Sequence, residues 1–239
     1  MDGTTLKQRI ISNKFTQAVS NGVAEQGYVV IPQLIESTDC SDIKQLYQQA
    51  HLFRSKVVMH RHGFGQGEYQ YFGDHMPRPL QQLRSWLYQA LFPIANQLMR
   101  SLNQSHCYPT KYADFLRNCA QEEQVRNTVL MLKYGAGDYN RMHQDQYGPV
   151  WFPLQAVVLL DQPGVDFSGG EFILAESEYM KQTKVSVVPF QQGDLMIFAA
   201  KEYPVVGVRG MKRCKLKHGV SPVLTGSRHT LGIIFHNAL

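Results

Sequence analysis

The stretch Thr128-Val-Leu-Met-Leu-Lys-Tyr-Gly-Ala-Gly-Asp-Tyr-Asn-Arg-Met-His-Gln-Asp145 decides the fold of the C-terminal half. Its first seven residues are mostly apolar or β-branched and predict a strand, and the glycines that follow predict the turn that ends it. Further short strand candidates come after it, with Gly or Pro between them: residues 152–160, 170–175, 184–189, 194–199, 205–208, 212–218 and 228–235. Eight short strands in all, without long helices, predict a double-stranded β-helix, the jelly-roll barrel.

The N-terminal half has a different pattern. Apolar residues at helical spacing predict helices over residues 5–26, 37–50, 79–102 and 112–124, and Pro93 predicts a kink or a break in the third. Short strands are predicted at 27–32 and 54–59. The fold class is therefore mainly β with a helical N-terminal flank, an α+β arrangement. We expect a helix-rich region, 1–124, that supports the core on its substrate side, and a double-stranded β-helix core, 125–239, packed with it as one unit.

Glycines and aromatic residues are concentrated between residues 63 and 73. The glycine spacing differs from the Gly-x-Gly-x-x-Gly of a nucleotide-binding loop, and no helical pattern follows directly. We therefore predict a mobile, aromatic-rich loop that covers a pocket, with a packed surface loop as the alternative. His60 and His62, which precede it, are predicted to be solvated or core histidines.

Composition sets limits on the class of protein. The chain has 239 residues, 44% of them apolar, so it can bury a sizeable core. Its start lacks the apolar segment of a signal peptide, and no run approaches about 18 uninterrupted apolar residues. We therefore expect a cytoplasmic protein without a membrane partner. Four cysteines at irregular spacing predict reduced thiols rather than a zinc ribbon or a disulfide framework: Cys40, Cys107, Cys119 and Cys214.

Three residues far apart in sequence form a candidate metal site. His143 and Asp145 are two positions apart, so both side chains leave the same side of an extended backbone. The same alternation places His218 with Cys214 and Leu216 on the inner face of the strand at 212–218. Two imidazoles and a carboxylate can occupy one face of an octahedral ferrous ion and leave its other positions open. The alternatives are a zinc or other cupin-type site, and no metal at all.

Arg228 begins the last predicted strand, and Thr230 lies on the same side of it. A guanidinium offers a planar fork of donors that fits a carboxylate in a bidentate manner, which a lysine cannot match. The distal carboxylate of 2-oxoglutarate requires such a partner. The predicted cofactor is therefore Fe(II), with 2-oxoglutarate and O2 as cosubstrates and ascorbate as a candidate reductant. The predicted chemistry couples decarboxylation of 2-oxoglutarate to succinate with hydroxylation of a substrate.

Four groups of residues carry a family resemblance: Tyr134 to Asp145, Ser168-Gly-Gly-Glu-Phe172, Gln192-Gly-Asp194, and His218 to Thr230. They resemble the prolyl-4-hydroxylase-like Fe(II)/2-oxoglutarate dioxygenases. A closer resemblance is to a bacterial 2-oxoglutarate oxygenase family described as acting in oxidative demethylation of damaged DNA. It rests on Phe64 to Phe72, His143-Gln-Asp-Gln-Tyr-Gly148, Phe152-Pro-Leu-Gln155 and Thr230 to Asn237.

The resemblance extends from about residue 25 to the C-terminus and implies roles for individual residues. His143, Asp145 and His218 would be the iron ligands, and Arg228 would bind the cosubstrate. Tyr134 lies where the prolyl-hydroxylase-like enzymes place a pocket tyrosine, so its hydroxyl is a candidate contact for 2-oxoglutarate; a buried structural tyrosine is the alternative. Gln155, a polar residue entering an apolar wall, needs a partner, and 2-oxoglutarate or the substrate is a candidate.

The substrate stays open between two classes. The formal net charge is +5 and the pI about 9.0, and residues 201–239 contain seven basic residues against Glu202 alone. A basic face that includes Arg213, Lys215 and Lys217 could bind nucleic acid, from which a base would be flipped into the pocket. The short gap from His218 to Arg228 instead favours a peptidyl or small-molecule hydroxylase, and alkylation-repair dioxygenases have a second arginine where this chain has Ile234. A non-catalytic cupin-like binding module is the remaining alternative.

Overall fold

The computed structural model describes residues 3–145, 147–208 and 210–239. In these residues two antiparallel sheets face each other, one of seven strands and one built on six. The larger sheet contains, in spatial order, β1 (Tyr28–Ile31), β11 (Leu195–Ala199), β7 (Leu154–Leu159), β15 (Arg228–Ile233), β5 (Leu130–Tyr134), β4 (Glu68–Phe72) and β2 (Phe53–Val58). The smaller sheet contains β10 (Lys184–Val188), β9 (Phe172–Ser177), β13 (Gly210–Val220), β6 (Tyr139–His143) and β3 (Gly65–Gln66), with β12 (Glu202–Gly207) paired to β13. Two short strands, β8 (Phe167–Gly169) and β14 (Val223–Gly226), pair separately.

This arrangement confirms the jelly-roll prediction. Each of the eight predicted strands overlaps an observed one, although hydrogen bonds between the described strands do not close the two sheets into a barrel. The sequence analysis missed β6, β8 and β14. Two of these are very short, and β6 carries Asn140 and Arg141 among half-buried neighbours, so it lacks the apolar alternation that marks a strand.

Five α-helices in the described residues cover the N-terminal half: α1 (Gly3–Ile10), α2 (Asn13–Gln26), α3 (Ser37–Gln45), α4 (Arg78–Ser101) and α5 (Tyr112–Gln121). The prediction of one helix over 5–26 was wrong, because the Ser12 hydroxyl accepts a hydrogen bond from Phe15 N at 3.2 Å and starts a second helix. Of the kink or break predicted at Pro93, the break does not occur. Helix α4 continues through it, since one face of this helix is buried over its whole length.

Residues 63–73 are not the loop that the glycines predicted. They contain β3 and β4, and β4 pairs with β2 on one side and with β5 on the other. Tyr71 of β4 pairs with Leu130 of β5, and its ring faces the space between the sheets. Because β4 is part of the larger sheet and β3 part of the smaller one, these strands cannot act as a mobile cover. Of residues 63–73, Gly63 and Phe64 line the pocket from outside the strands.

Arg84 of α4 joins the helices to the C-terminal segment. It is buried, and its guanidinium donates to the carbonyl oxygens of Ile234 at 2.9 Å, Phe235 at 3.0 Å and His236 at 3.3 Å. The helices and both sheets share one large cluster of buried apolar side chains. The boundary at residue 124 therefore remains a prediction from sequence. None of the described helices has the length and apolar character needed to span a membrane.

Candidate active site

His143, Asp145 and His218 lie together between the sheets. His143 is the last residue of β6 and pairs across the strands with His218 of β13. Asp145 follows two residues later, with Oδ1 at 3.6 Å from His143 Nε2 and Oδ2 at 3.5 Å from His218 Nε2. One ligand atom from each residue lies within 4.8 Å of the others. Two imidazole nitrogens and a carboxylate at these separations form a donor set suited to a ferrous ion.

The protonation of the triad suits a cation. Burial opposes ionisation of Asp145, but the hydrogen bond from His218 and the charges of both histidines outweigh it and hold the pKa of the carboxyl well below its usual range. Burial, followed by the neighbouring His218, lowers the pKa of His143. A carboxylate that is ionised and an imidazole that is neutral at neutral pH are the forms that bind metals. The Arg141 carbonyl oxygen lies 2.7 Å from His143 Nδ1, so Nε2 is the ring nitrogen that faces Asp145.

A chain of tyrosines supports the carboxylate. The Tyr147 hydroxyl donates to Asp145 Oδ1 at 2.9 Å, and the Tyr71 hydroxyl donates to Tyr147 at 3.0 Å. Sequence reasoning assigned no role to Tyr71 or Tyr147. Tyr71 reaches the site from β4, far away in the chain, so only the register of β4 against β5 reveals the contact.

Arg228 is 1% exposed and lies on β15 opposite Tyr134 of β5. Its Nε has no hydrogen-bond partner, and no carboxylate among the described residues lies within ion-pair distance of the guanidinium. The rings of Tyr134 and Phe167 flank it at 5.7 and 5.9 Å. Burial lowers the pKa of Arg228 to about 10. A buried cation without an acidic partner is unstable unless an anionic ligand joins it, which is the property that a carboxylate-binding site requires.

One cavity of about 500 Å³ joins the triad to Arg228. Gln155 and Thr230, both 2% exposed, line it from the larger sheet, and the Gln155 Nε2 has no partner among the described residues. The Tyr134 hydroxyl also reaches this space and accepts a hydrogen bond from Asn140 at 3.3 Å. Apolar side chains form much of the remaining wall: Leu130, Leu132, Val157, Phe172, Phe198 and Val220. Every residue that the sequence analysis assigned to the site thus faces one cavity.

The residues of the predicted basic face, Arg213, Lys215 and Lys217, do not line this cavity. Burial alternates along β13, with Cys214, Leu216 and His218 buried, so Arg213, Lys215 and Lys217 point outward as predicted. Arg213 Nη1 lies 3.5 Å from Glu202 Oε1, and its Nη2 donates to the Leu102 carbonyl oxygen at 3.0 Å. The basic face is therefore on the outer wall of the smaller sheet. Arg209, which was counted with it, lies outside the described residues.

Solved structures with the same fold include prolyl hydroxylases and a 2OG-Fe(II) oxygenase. A prolyl-4-hydroxylase from Pseudomonas putida has a TM-score of 0.56 at 14% identity and covers 94% of this chain and 99% of its own. A prolyl hydroxylase from Trichoplax adhaerens, in complex with a hypoxia inducible factor peptide fragment, has a TM-score of 0.56 at 13% identity and covers 98% and 93%. A 2OG-Fe(II) oxygenase family oxidoreductase from Burkholderia pseudomallei has a TM-score of 0.54 at 14% identity and covers 93% and 92%. These likenesses establish the fold.

Sequence comparison gives closer relatives. A family model described as "Oxygenase, catalysing oxidative methylation of damaged DNA" matches residues 67–238. Uncharacterized proteins from two strains of Mycobacterium tuberculosis are each 37% identical over 163 residues, which is 68% of this chain and 70% of the relative. The fold, the His-Asp-His triad and the oxygenase match together define an Fe(II)- and 2-oxoglutarate-dependent dioxygenase. Within that class, the chain belongs to the oxygenase family whose model it matches.

Proposed function

We propose that this dioxygenase hydroxylates methyl groups on damaged nucleic-acid bases, which removes them, with His143, Asp145 and His218 as iron ligands and Arg228 as the cosubstrate anchor. The observation that carries the proposal is the buried guanidinium of Arg228, whose Nε has no hydrogen-bond partner, in the same cavity as the triad. When bound, Fe(II), 2-oxoglutarate and O2 supply an oxidation that yields succinate and carbon dioxide and places one oxygen atom on the substrate.

The side chains of the cavity position the reactants in this proposal. The guanidinium of Arg228 donates hydrogen bonds to the distal carboxylate of 2-oxoglutarate, and the Thr230 hydroxyl lies on the same side of β15. The Gln155 amide, whose Nε2 has no partner among the described residues, and the Tyr134 hydroxyl are further polar groups that would face the bound molecule. The apolar walls exclude water, which keeps the oxidation directed at the substrate rather than at solvent.

Two observations support a nucleic-acid substrate. The family description names damaged DNA. On β13, Lys215 and Lys217 alternate with the buried Leu216 and His218 and are exposed on the outer wall, where phosphates could bind. The base would be flipped into the cavity. Hydroxylation of an N-methyl group gives a hydroxymethyl amine, whose C–N bond then breaks and releases formaldehyde and the unmethylated base.

The second candidate function is hydroxylation of a peptide or small molecule. The short gap between His218 and Arg228 favours it. So does Ile234, which stands where alkylation-repair enzymes have a second arginine. The fold is also that of prolyl hydroxylases, one of which is solved with a peptide fragment bound. A non-catalytic binding module would have the same cavity but would not consume 2-oxoglutarate.

The test is succinate formation by the full chain with Fe(II), ascorbate and 2-oxoglutarate across methylated oligonucleotides, peptides and metabolite extracts. We expect methylated oligonucleotides to increase succinate and to release formaldehyde, and His143→Ala to abolish both. The matched control is His60→Ala, which alters an exposed histidine outside the site. Stimulation by peptides alone would favour the second candidate, and turnover that survives His143→Ala would refute the assignment of the triad.

A further inference from the structure

The β12–β13 ribbon, residues 202–207 paired with 210–215, projects past the triad. Strand β6 ends at His143 opposite His218, and β9 ends at Ser177 opposite Lys215. Beyond that point β12 is the only strand of the described residues that pairs with β13, with Gly207 opposite Gly210 at the far end. At roughly 3.3 Å per residue, Gly210 lies about 26 Å along the strand from His218. The part of β13 beyond β9, from Lys215 to Gly210, is about 16 Å long.

One face of this ribbon has an ordered composition. Residues directly opposite each other share a face, which groups Val206 with Met211 at the tip and Pro204 with Arg213 on the stem. Lys215 and Lys217 continue this face towards the cavity. We call it the ribbon face: Val206, Met211, Arg213, Lys215 and Lys217. It is apolar at the tip and basic along the stem, where Pro204 and Glu202 on the same face are buried and Glu202 Oε1 lies 3.5 Å from Arg213 Nη1.

The tip is exposed, whereas the stem is anchored. Val206 is 86% exposed and Met211 53%, and Val208 at the turn is 99% exposed. On the opposite face of the stem Tyr203 and Cys214 are buried, and Tyr203 packs closely against Gly27 after α2. A fixed stem that carries exposed apolar side chains at its end indicates a contact surface.

The stem is also joined to the triad. Gln144, the residue between His143 and Asp145, donates its side-chain amide hydrogens to the carbonyl oxygens of Lys201 at 2.7 Å and Leu216 at 2.8 Å. These two carbonyls belong to the two sides of the ribbon base. A side chain between two of the proposed iron ligands therefore bonds to both sides of the ribbon base.

We propose that the ribbon face binds the duplex DNA that flanks the base being oxidised. The proposal rests on the proposed function, because the occupant is the double-stranded part of that same substrate. Arg213, Lys215 and Lys217 contact phosphates, and the pair Val206 and Met211 enters a groove, since the major groove admits a two-stranded ribbon. The positive charges of the exposed Lys215 and Lys217 complement the negative charge of the duplex. The length of about 26 Å corresponds to about eight base pairs at 3.4 Å each.

The test is binding of full-length protein to duplexes with one methylated base and a flank of 4 or 14 base pairs, measured by fluorescence anisotropy at several salt concentrations. For the wild type we expect at least tenfold tighter binding to the long flank. Val206→Ser/Met211→Ser should lose that gain and retain the affinity for the short flank. Lys215→Ser/Lys217→Ser should reduce the slope of log affinity against log salt by about two.

Two matched controls change the same residue types elsewhere. Val165→Ser/Leu224→Ser alters exposed apolar residues outside the ribbon, and Lys7→Ser/Lys14→Ser alters exposed lysines of α1 and α2. Both should behave as wild type. A gain from the long flank that persists in the tip variant would overturn the proposal. So would a wild-type dimer that the tip substitutions dissociate, because the ribbon face would then bind a second copy.

Turnover separates this proposal from the proposed function. A methylated pentanucleotide is too short to reach the tip, so wild type and tip variant should form succinate from it at equal rates. Equal rates with no gain from the long flank would refute the ribbon and leave the proposed function standing. No succinate from any methylated oligonucleotide, with the flank-dependent affinity still present, would refute the proposed function and leave the duplex contact.

Discussion

Tyr147 donates a hydrogen bond to Asp145 Oδ1 at 2.9 Å and accepts one from Tyr71 at 3.0 Å. The carboxylate proposed as an iron ligand therefore has one oxygen held by a phenol that is itself held by a second phenol. A hydrogen bond of this kind orients a metal-binding carboxylate, and losing such a partner typically weakens metal affinity by about 10–100-fold.

We expect Tyr147→Phe to weaken Mn(II) binding, used in place of Fe(II), by about tenfold or more, because Asp145 becomes free to rotate. Calorimetric titration of the metal-free protein measures this directly. Tyr71→Phe should have a smaller effect, since it removes only the outer bond of the chain. Tyr179→Phe, a change at an exposed tyrosine, is the matched control. Equal metal affinity of Tyr147→Phe and wild type would show that the phenol does not position the carboxylate.

The inner residues of the site could be predicted because their signals are local. The alternation from Cys214 to His218 follows from the geometry of a strand, and the burial pattern of β13 shows it. The two-residue spacing of His143 and Asp145 also brings both side chains to the triad, although Asp145 lies beyond the end of β6 at His143. The tyrosines could not be predicted in this way. Tyr71 meets Tyr147 only because β4 joins the edge of β5, and sheet register over such a sequence distance leaves no local pattern.

The errors in the N-terminal half have the same origin. Ser12 is one polar residue in an otherwise helical pattern, and its role as a cap depends on where α1 and α2 pack. The glycines at 63, 65 and 67 indicated a loop, yet Gly65 lies so close to the Tyr139 carbonyl oxygen that a Cβ there would be 2.3 Å away. Gly65 and Gly67 permit β3 and β4 to approach their neighbours, so these two glycines mark close packing rather than mobility, whereas a Cβ at Gly63 would meet open space.

Arg228 gives a prediction in which stability and binding change in opposite directions. We expect Arg228→Met to keep or raise the free energy of unfolding without 2-oxoglutarate, because it removes a buried cation that lacks an acidic partner. Wild type should gain about 2.7 kcal/mol from 2-oxoglutarate at 100 times its dissociation constant, and the variant should gain nothing. Urea unfolding with Mn(II), with and without 2-oxoglutarate, measures both.

The control is Arg100→Met, which changes an exposed arginine in the last turn of α4 and should retain the full stabilisation by 2-oxoglutarate. A variant at Arg228 that is still stabilised by 2-oxoglutarate to the wild-type extent would refute the role of this guanidinium.

Arg84 should be required for the attachment of α4 to the C-terminal segment. Arg84→Lys keeps a positive charge but cannot donate to the carbonyl oxygens of Ile234, Phe235 and His236 together. Because each buried acceptor left without a donor costs about 1–3 kcal/mol, we expect the free energy of unfolding in urea to fall by at least about 2 kcal/mol. Arg78→Lys, on the exposed side of the same helix, should change it by less than about 0.5 kcal/mol. Similar losses in the two variants would contradict the prediction.

His236 should make the metal-free protein less stable in mild acid. Burial, followed by the nearby charge of Arg84, lowers the pKa of His236 to about 4, and its Nδ1 accepts a hydrogen bond from Phe152 N at 3.3 Å. The unfolded chain, with a histidine pKa of about 6.5, therefore binds the proton more readily than the folded protein. The stability that the neutral imidazole provides is complete above about pH 6.5 and decreases by up to about 1.4 kcal/mol per pH unit as the pH falls to about 4.

Between pH 7 and pH 5, the loss in the free energy of unfolding should be about 2 kcal/mol smaller in His236→Gln than in wild type when both are unfolded in urea with EDTA. His75→Gln, at an exposed histidine, should follow wild type, and a pH dependence of His236→Gln equal to that of wild type would mean that His236 is protonated as easily in the folded protein as in the unfolded chain.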